Sequence, residues 1–474
     1  MNSVELCYLS ALELRELYLA RSLSPVEVTR AVLDRIEALN PVINAYVTVT
    51  AERALADAHR AELAFAGRTK LLPLSGIPYS LKDLTPTKGI RTTKGSLLWK
   101  DWVPDFDTPI GERLQAAGGV LLGKTNTPEL GWKGESTNRV VGSTLNPWKL
   151  DRTPGGSSGG AAAAAAAGLG PLAQGTDGAG SVRIPASFAG VFGLKPSFGL
   201  IPYYPTSAVE SLAHIGPLTR TVCDGALMLN VMAGPDWRDH NSLDARRLDY
   251  LAACDGDIRG LRVAWSRDLG FASIEPEVLR IVEASVDAFR ELGCQVIEVD
   301  PGFADPWEPL SLIWATGMAA GHSDNFDQVR SLIDPGRAKV AEEGFAISGV
   351  DLTNAHNRKA QFVEQVLGFS EQFDLLLTPT VPVTAFAAGA DQPGTVAGKT
   401  TSYLSWTPYT YVFNLTGQPA ATVPCGFAAD GLPVGLQIVG RWRDDATVLR
   451  AASAFEAARP WSQHRPPVDE SAPR

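Results

Sequence analysis

Two serine-bearing glycine clusters, GGSSGG at 155–160 and GTDGAGS at 175–181, flank a run of seven alanines at 161–167. A hydroxyl among glycines can cap a helix, belong to a phosphate cradle, or attack a carbonyl. Capping fits the first cluster, because serine is a preferred N-cap and alanines follow. The cradle fails on spacing: no GK[ST] follows, and GGSSGG does not match the dinucleotide fingerprint. Residues 156–160 also spell G-x-S-x-G, which would set Ser158 on a nucleophile elbow. Such an elbow needs a histidine base, and none of His214, His240, His322, His356 and His464 stands in a context that singles it out. In the second cluster the small residues before Ser181 let consecutive backbone N–H groups converge on one point, as an oxyanion hole demands. Ser181 would then attack a carbonyl, although a plain turn with Ser181 as a helix cap fits the same residues. A lysine kept neutral by burial could supply the base. Lys82 closes the apolar run IPYSLKD and is the candidate, with a surface ion pair to Asp83 as the alternative reading.

These residues need elements to hold them. Ser10 with Glu13, and Ser24 with Glu27 plus Pro25, read as capping boxes that open two helices. The second helix carries Val28, Val32, Leu33, Ile36 and Leu39 on one face and is expected to stop before Asn40-Pro41. Residues 1–66 thus form a helical lead-in. From there the texture changes to short apolar runs bounded by Gly and Pro: IPYSLKD, VLLGKTN, LRVAWS, CQVIEVD, DLLLTP, AATVPCGF and VGLQIVG read as strands. LRVAWS, the periodic helix ending near Gly293, and CQVIEVD form a β-α-β unit. The expected fold is α/β: one domain over 67–460 with a mixed central β-sheet covered by helices on both faces. Residues 461–474, rich in proline, read as a loose tail.

Composition narrows the classes. The net charge of −10 is spread along the 474 residues without a basic block, so no nucleic-acid footprint is present. Five cysteines without a CxxC pair argue against a disulfide framework or a zinc site and for reduced thiols in a cytoplasm. MNSVELCYLS lacks the features of a secretory signal, and the alanine run is too short to cross a bilayer.

LSGIPYSLKDLTPTKGIRTTKGS, NPWKLDRTPGGSSGG, GTDGAGSVRIPASFAGVFGLKPSFG and FNLTGQPAATVPCGFAADGLPVGLQIVG, in that order across residues 70–460, resemble the successive segments of the amidase signature family. The resemblance implies a Ser-cis-Ser-Lys triad that hydrolyses amides without metal or other cofactor. Its two serines stand 24 residues apart, as Ser157 and Ser181 do here. Ser157, rather than Ser158, then becomes the bridging serine, behind a cis Gly156–Ser157 peptide; Ser181 becomes the nucleophile and Lys82 the base. The implied oxyanion donors are the backbone amides of Gly178, Ala179, Gly180 and Ser181. Ala179 stands where many relatives have glycine, which would matter only if φ there were positive. Ser158, Asp177 and Arg183 are expected to support the triad, the last two as an ion pair. Pocket walls are implied near 125–145 and 300–410, where Trp132, Trp307, Trp314, Tyr403, Trp406, Tyr409 and Tyr411 cluster. The expected substrate is an uncharged small aryl or aliphatic amide, with carbamates and esters open to the same relay. The alternative within the family is the glutamine-hydrolysing component of a tRNA-dependent amidotransferase. No nucleic-acid or membrane partner is implied, and a homodimer is neither required nor excluded.

Overall fold

Apolar runs bounded by Gly and Pro become the strands of one sheet in the computed structural model, which describes residues 2–244 and 248–471. In chain order the strands are β1 (Tyr46–Val49), β2 (Pro78–Lys82), β3 (Val120–Thr125), β4 (Leu172–Asp177), β5 (Phe192–Lys195) and β6 (His214–Thr219). They continue with β7 (Arg262–Trp265), β8 (Gln295–Glu298), β9 (Leu375–Pro379), β10 (Ala420–Phe427) and β11 (Pro433–Gly440). Across the sheet they lie in the order β1-β3-β2-β4-β6-β5-β10-β11-β9-β7-β8. β3, β2 and β4 run parallel, as do β9, β7 and β8, while the strands between pair antiparallel. The sheet is therefore mixed, as expected.

Both faces are covered. Successive side chains on a strand point to opposite faces, and Leu375 and Leu377 of β9 join a core with the helices Pro25–Ile43, Val222–Met232, Pro276–Glu291 and Asp445–Ala458. Leu376, between them, joins a second core with the helices Trp307–Ala320, Pro335–Phe345, Gly349–Ser370 and Pro408–Thr416. A third, small-residue core gathers Ala161, Ala162 and Ala165 with Ala173, Val182 and Ala186. It seats the helix Gly159–Ala166, every residue of which is buried, against the helix Arg183–Ala189. At Gly160 not even a methyl fits: a Cβ there would lie 2.3 Å from the Asn126 nitrogen.

The ends of the chain depart from expectation. Ser10 and Glu13 form a capping box, but Ser24 does not pair with Glu27; its hydroxyl accepts from the Val26 amide and donates to Glu62. The helix that it opens runs through Pro41 to Ile43, because Pro41 lies in the last turn and left-handed Asn44 (φ 51°) closes the helix beyond it. The lead-in is not purely helical either, since β1 pairs with β3 at the sheet edge. The expected loose tail is packed up to residue 469: Trp461 is buried and donates to the Arg220 carbonyl, Val468 is buried, and Asp469 pairs with Arg35 at 2.8 Å. Residues 472–474 of that tail lie outside the described residues.

Candidate active site

Parallel β2 and β4 end side by side, with Leu81 in register with Gln174, so their carboxyl ends present Lys82 and Asp177 at the same edge. Such edges are where open α/β sheets bind ligands. Lys82 is fully buried, and its Nζ lies 2.7 Å from Ser157 Oγ, 2.9 Å from Ser158 Oγ and 2.9 Å from Thr176 Oγ1. Burial pushes its pKa well below the ordinary lysine value, against a weaker upward pull from Asp177. Its neighbours are three hydroxyls, which match the two N–H donors and one lone pair of a neutral amine. Asp83 is not its partner; that carboxylate turns to the amide and hydroxyl of Thr93, and burial raises its pKa to about 6.

The Gly156–Ser157 peptide is cis. Ser158 occupies the N-cap position of the Gly159–Ala166 helix but makes no capping bond. Its hydroxyl is committed elsewhere: it accepts from Lys82 Nζ and the Thr176 amide and donates to the Thr176 carbonyl at 3.2 Å. The Gly159 amide is satisfied instead by Ser136 Oγ at 3.0 Å. Among the described residues no histidine bonds Ser158, so the elbow arrangement is not formed. The two serine clusters are tied directly, the Ser158 amide donating to the Ser181 carbonyl at 3.1 Å.

Asp177 and Arg183 form the expected ion pair, both fully buried, with Nη2 to Oδ1 and Nε to Oδ2 each at 3.0 Å. Burial by itself would raise the Asp177 pKa, but the Arg183 guanidinium holds the carboxyl well below the usual range. Asn414 Nδ2 donates to Oδ1 and to the Asp177 carbonyl, and Arg183 also reaches Asn414 Oδ1 and Gln437 Oε1. The same carboxylate accepts the Gly180 amide at 2.7 Å and the Val182 amide at 3.1 Å. Gly180 is thereby withdrawn from the expected oxyanion donors. The amides of Gly178, Ala179 and Ser181 have no protein acceptor among the described residues. Ala179 lies outside the left-handed region, so its Cβ carries no backbone penalty; Gly180, at φ +122°, could not carry one, for it would meet Thr410 Oγ1 at 2.3 Å.

Ser157 and Ser181 both line a cavity of about 580 Å³. Of the aromatic residues expected in its walls, only Trp314 is there. Trp132, Trp307 and Tyr403 pack ring against ring, with centroids 5.8 and 6.1 Å apart. Tyr409 is buried with its hydroxyl on the Arg267 carbonyl, and Trp406 stacks on Phe188. Trp406 and Tyr411 border a separate recess. None of these six rings faces the cavity that holds Ser157 and Ser181. The wall comes instead from Trp99, Tyr203, Val209, Met318, His322 and Arg337, among others. Thr176 and Asn414 also escaped the sequence reading, although both sit inside the quoted motifs; nothing in the sequence around Arg337 marks it.

The family profile described as Amidase matches residues 27–449. An acylamidase of Rhodococcus erythropolis is 42% identical over 471 residues, covering 98% of this chain and 98% of that protein. A component of the glutamyl-tRNA(Gln) amidotransferase of Moorella thermoacetica is 38% identical over 489 residues, covering 98% of this chain and 99% of that protein. Among solved structures, a bacterial aryl acylamidase belonging to the amidase signature enzymes family superposes with a TM-score of 0.91 at 31% identity, covering 98% of this chain and 99% of that one. The 6-aminohexanoate cyclic dimer hydrolase complexed with substrate gives 0.89 at 30% identity, with the same coverage. With the profile spanning most of the sequence and the fold shared end to end, this chain belongs to the amidase family and is a hydrolase of amide C–N bonds.

Proposed function

We propose that this amidase cleaves small acyl amides, anilides among them, through a relay of Lys82, Ser157 and Ser181. The observation that carries the reading is the buried Lys82 amine 2.7 Å from Ser157 Oγ, with hydroxyls as its side-chain partners. A neutral amine can take the Ser157 proton as Ser157 takes that of Ser181. The Ser181 oxygen then bonds to the substrate carbonyl carbon, and the amides of Gly178, Ala179 and Ser181 supply donors for the oxyanion. As the tetrahedral centre collapses the C–N bond breaks, and the proton held on the relay passes to the departing amine. Water adds to the acyl-enzyme by the same route, releasing the carboxylic acid and restoring Ser181. Only a carbonyl and a protonatable leaving group are required, so carbamates and esters fall within reach of the same relay.

The resemblance to an amidotransferase component raises free glutamine as a second substrate. Its ammonium would need an anion in the cavity. Among the described residues Asp177 is the only carboxylate in the lining, and its oxygens are already taken by the amides of 180 and 182, Arg183 and Asn414. The test is a panel of anilides, aryl carbamates, aryl esters and glutamine offered to the purified chain, with amine or ammonia release as the readout. Anilide cleavage without partners is expected; ammonia from glutamine with no anilide turnover would overturn the reading.

A further inference from the structure

Arg337 enters the cavity wall from the first turn of the Pro335–Phe345 helix, and it is 2% exposed. An arginine stays protonated even when buried, so a guanidinium taken out of water needs an anion or several acceptors in return. Here it has few. Nη1 donates to Nε2 of His322 at 2.6 Å, while Nε is buried without a partner. Asp334 and Glu129 are the acids nearest in charge, and neither pairs with it among the described residues. Asp334 Oδ1 accepts the amides of Gly336 and Arg337, whereas Glu129 accepts from Ser96 Oγ and the Asp334 amide. His322 brings no charge: burial first, and then the Arg337 guanidinium, lower its pKa to about 4.

The rest of the lining has the same bias. Trp314 also lines the cavity, and its buried Nε1 has no acceptor. Lys94 stands over the faces of Trp99 and Trp102 at 4.0 and 4.5 Å, a cation satisfied by rings rather than by a carboxylate. Asp177 is neutralised by Arg183. The lining residues thus hold unpaired donors and positive charge, with no free negative group among those described.

Resting on the amidase reading above, we propose that the preferred substrates are amides that carry a carboxylate away from the scissile carbonyl, and that Arg337, held by His322, is the residue that binds it. This replaces the uncharged substrate expected from the sequence. A carboxylate would take up the free N–H groups of the guanidinium in charge-assisted bonds, which are the strong ones in a site shielded from water.

The test compares kcat/KM for succinanilic, glutaranilic and adipanilic acids with the methyl-terminated anilides of equal length, and for acetamidobenzoates with acetanilide. At least one carboxylate should exceed its neutral counterpart by about tenfold or more, as one charge-assisted bond implies. In Arg337→Met that ratio should fall to near unity, and Arg337→Lys should keep part of it, with thermal melting as the check on folding. The comparison on the unmodified enzyme stands whether or not a variant folds. Cleavage of neutral anilides with no carboxylate preference at any position overturns this inference alone, and so does a preference that survives in Arg337→Met. Failure to cleave any amide overturns the reading beneath it. Calorimetric binding of glutarate and benzoate then decides: binding that Arg337→Met abolishes sustains the carboxylate site, and no binding removes it.

Discussion

Asp177 Oδ1 holds the Gly180 amide at 2.7 Å while the same carboxylate is paired with Arg183. One buried anion therefore fixes the turn before Ser181 and discharges a buried cation. In Asp177→Asn the guanidinium loses its counter-charge in a fully buried site, which is expected to cost about 3–5 kcal/mol of stability. Urea unfolding measures it, and hydrolysis should fall as the turn loosens. Removing both charges in Asp177→Asn/Arg183→Met should recover part of the loss; strict additivity of the two single variants would show that the pair is not coupled.

Burial lowers the Lys82 pKa, and the sign of its pH effects follows. As pH falls the amine gains a proton and can no longer accept one from Ser157, so kcat/KM should decline on the acid side. Lys82→Met should lower hydrolysis by about 10²–10⁴-fold across the pH range. Stability carries the same sign: between the lowered value and the ordinary 10.5, the unfolded chain holds a proton on Lys82 that the folded chain does not. Wild type should gain stability over Lys82→Met as pH is raised from neutrality towards 10.5. Urea midpoints at several pH values check this, and a gap that widens in the opposite direction refutes it.

A fluorophosphonate probe followed by peptide mapping should label Ser181, which lines the cavity. Ser158 is fully buried and bonded to Lys82 and Thr176, so it should remain unmodified. Ser181→Ala is expected to lose about a thousandfold or more in kcat while melting near the wild-type temperature. Label on Ser158 would restore the elbow arrangement.

The two small residues before Ser181 should respond differently to change. Gly180→Ala forces a side chain into positive φ and against Thr410, and is expected to cost roughly 1–3 kcal/mol and most of the activity. Ala179→Gly alters neither an N–H donor nor a strained torsion, so activity should stay within about threefold, or about 0.7 kcal/mol in barrier. Steady-state kinetics on the pair distinguishes the two positions.

Much of the chemistry was legible in the sequence because it lies in contiguous motifs. The burial of Lys82 and the small residues before Ser181 could be read from the residues, and the resemblance supplied Ser157 and the Asp177–Arg183 pair; Lys82 lies 2.7 Å from Ser157 and the ion pair is formed. The cavity wall was not legible. An aromatic side chain reads the same whether its ring faces a cavity or another ring, and Trp132, Tyr403 and Tyr409 turned out to face the protein. Arg337 and His322 belong to separate helical segments that only tertiary packing brings within hydrogen-bond reach. The Gly180 amide shows the same limit on a smaller scale: the backbone pattern suggested a donor, and the Asp177 carboxylate had already claimed it. At the N-terminus Pro41 misled for a local reason, since a proline in the last turn of a helix need not end it.

The alanine helix between the serine clusters has one more implication. Each of its eight positions is enclosed, and none carries a side chain larger than a methyl group, so the spacing between Ser157 and Ser181 has no dial that mutation can turn by degrees. Variants that change substrate scope are therefore expected at cavity-lining residues such as Trp314, Tyr203 and Arg337. An engineer can swap those side chains one at a time around a reactor whose internal dimensions stay constant.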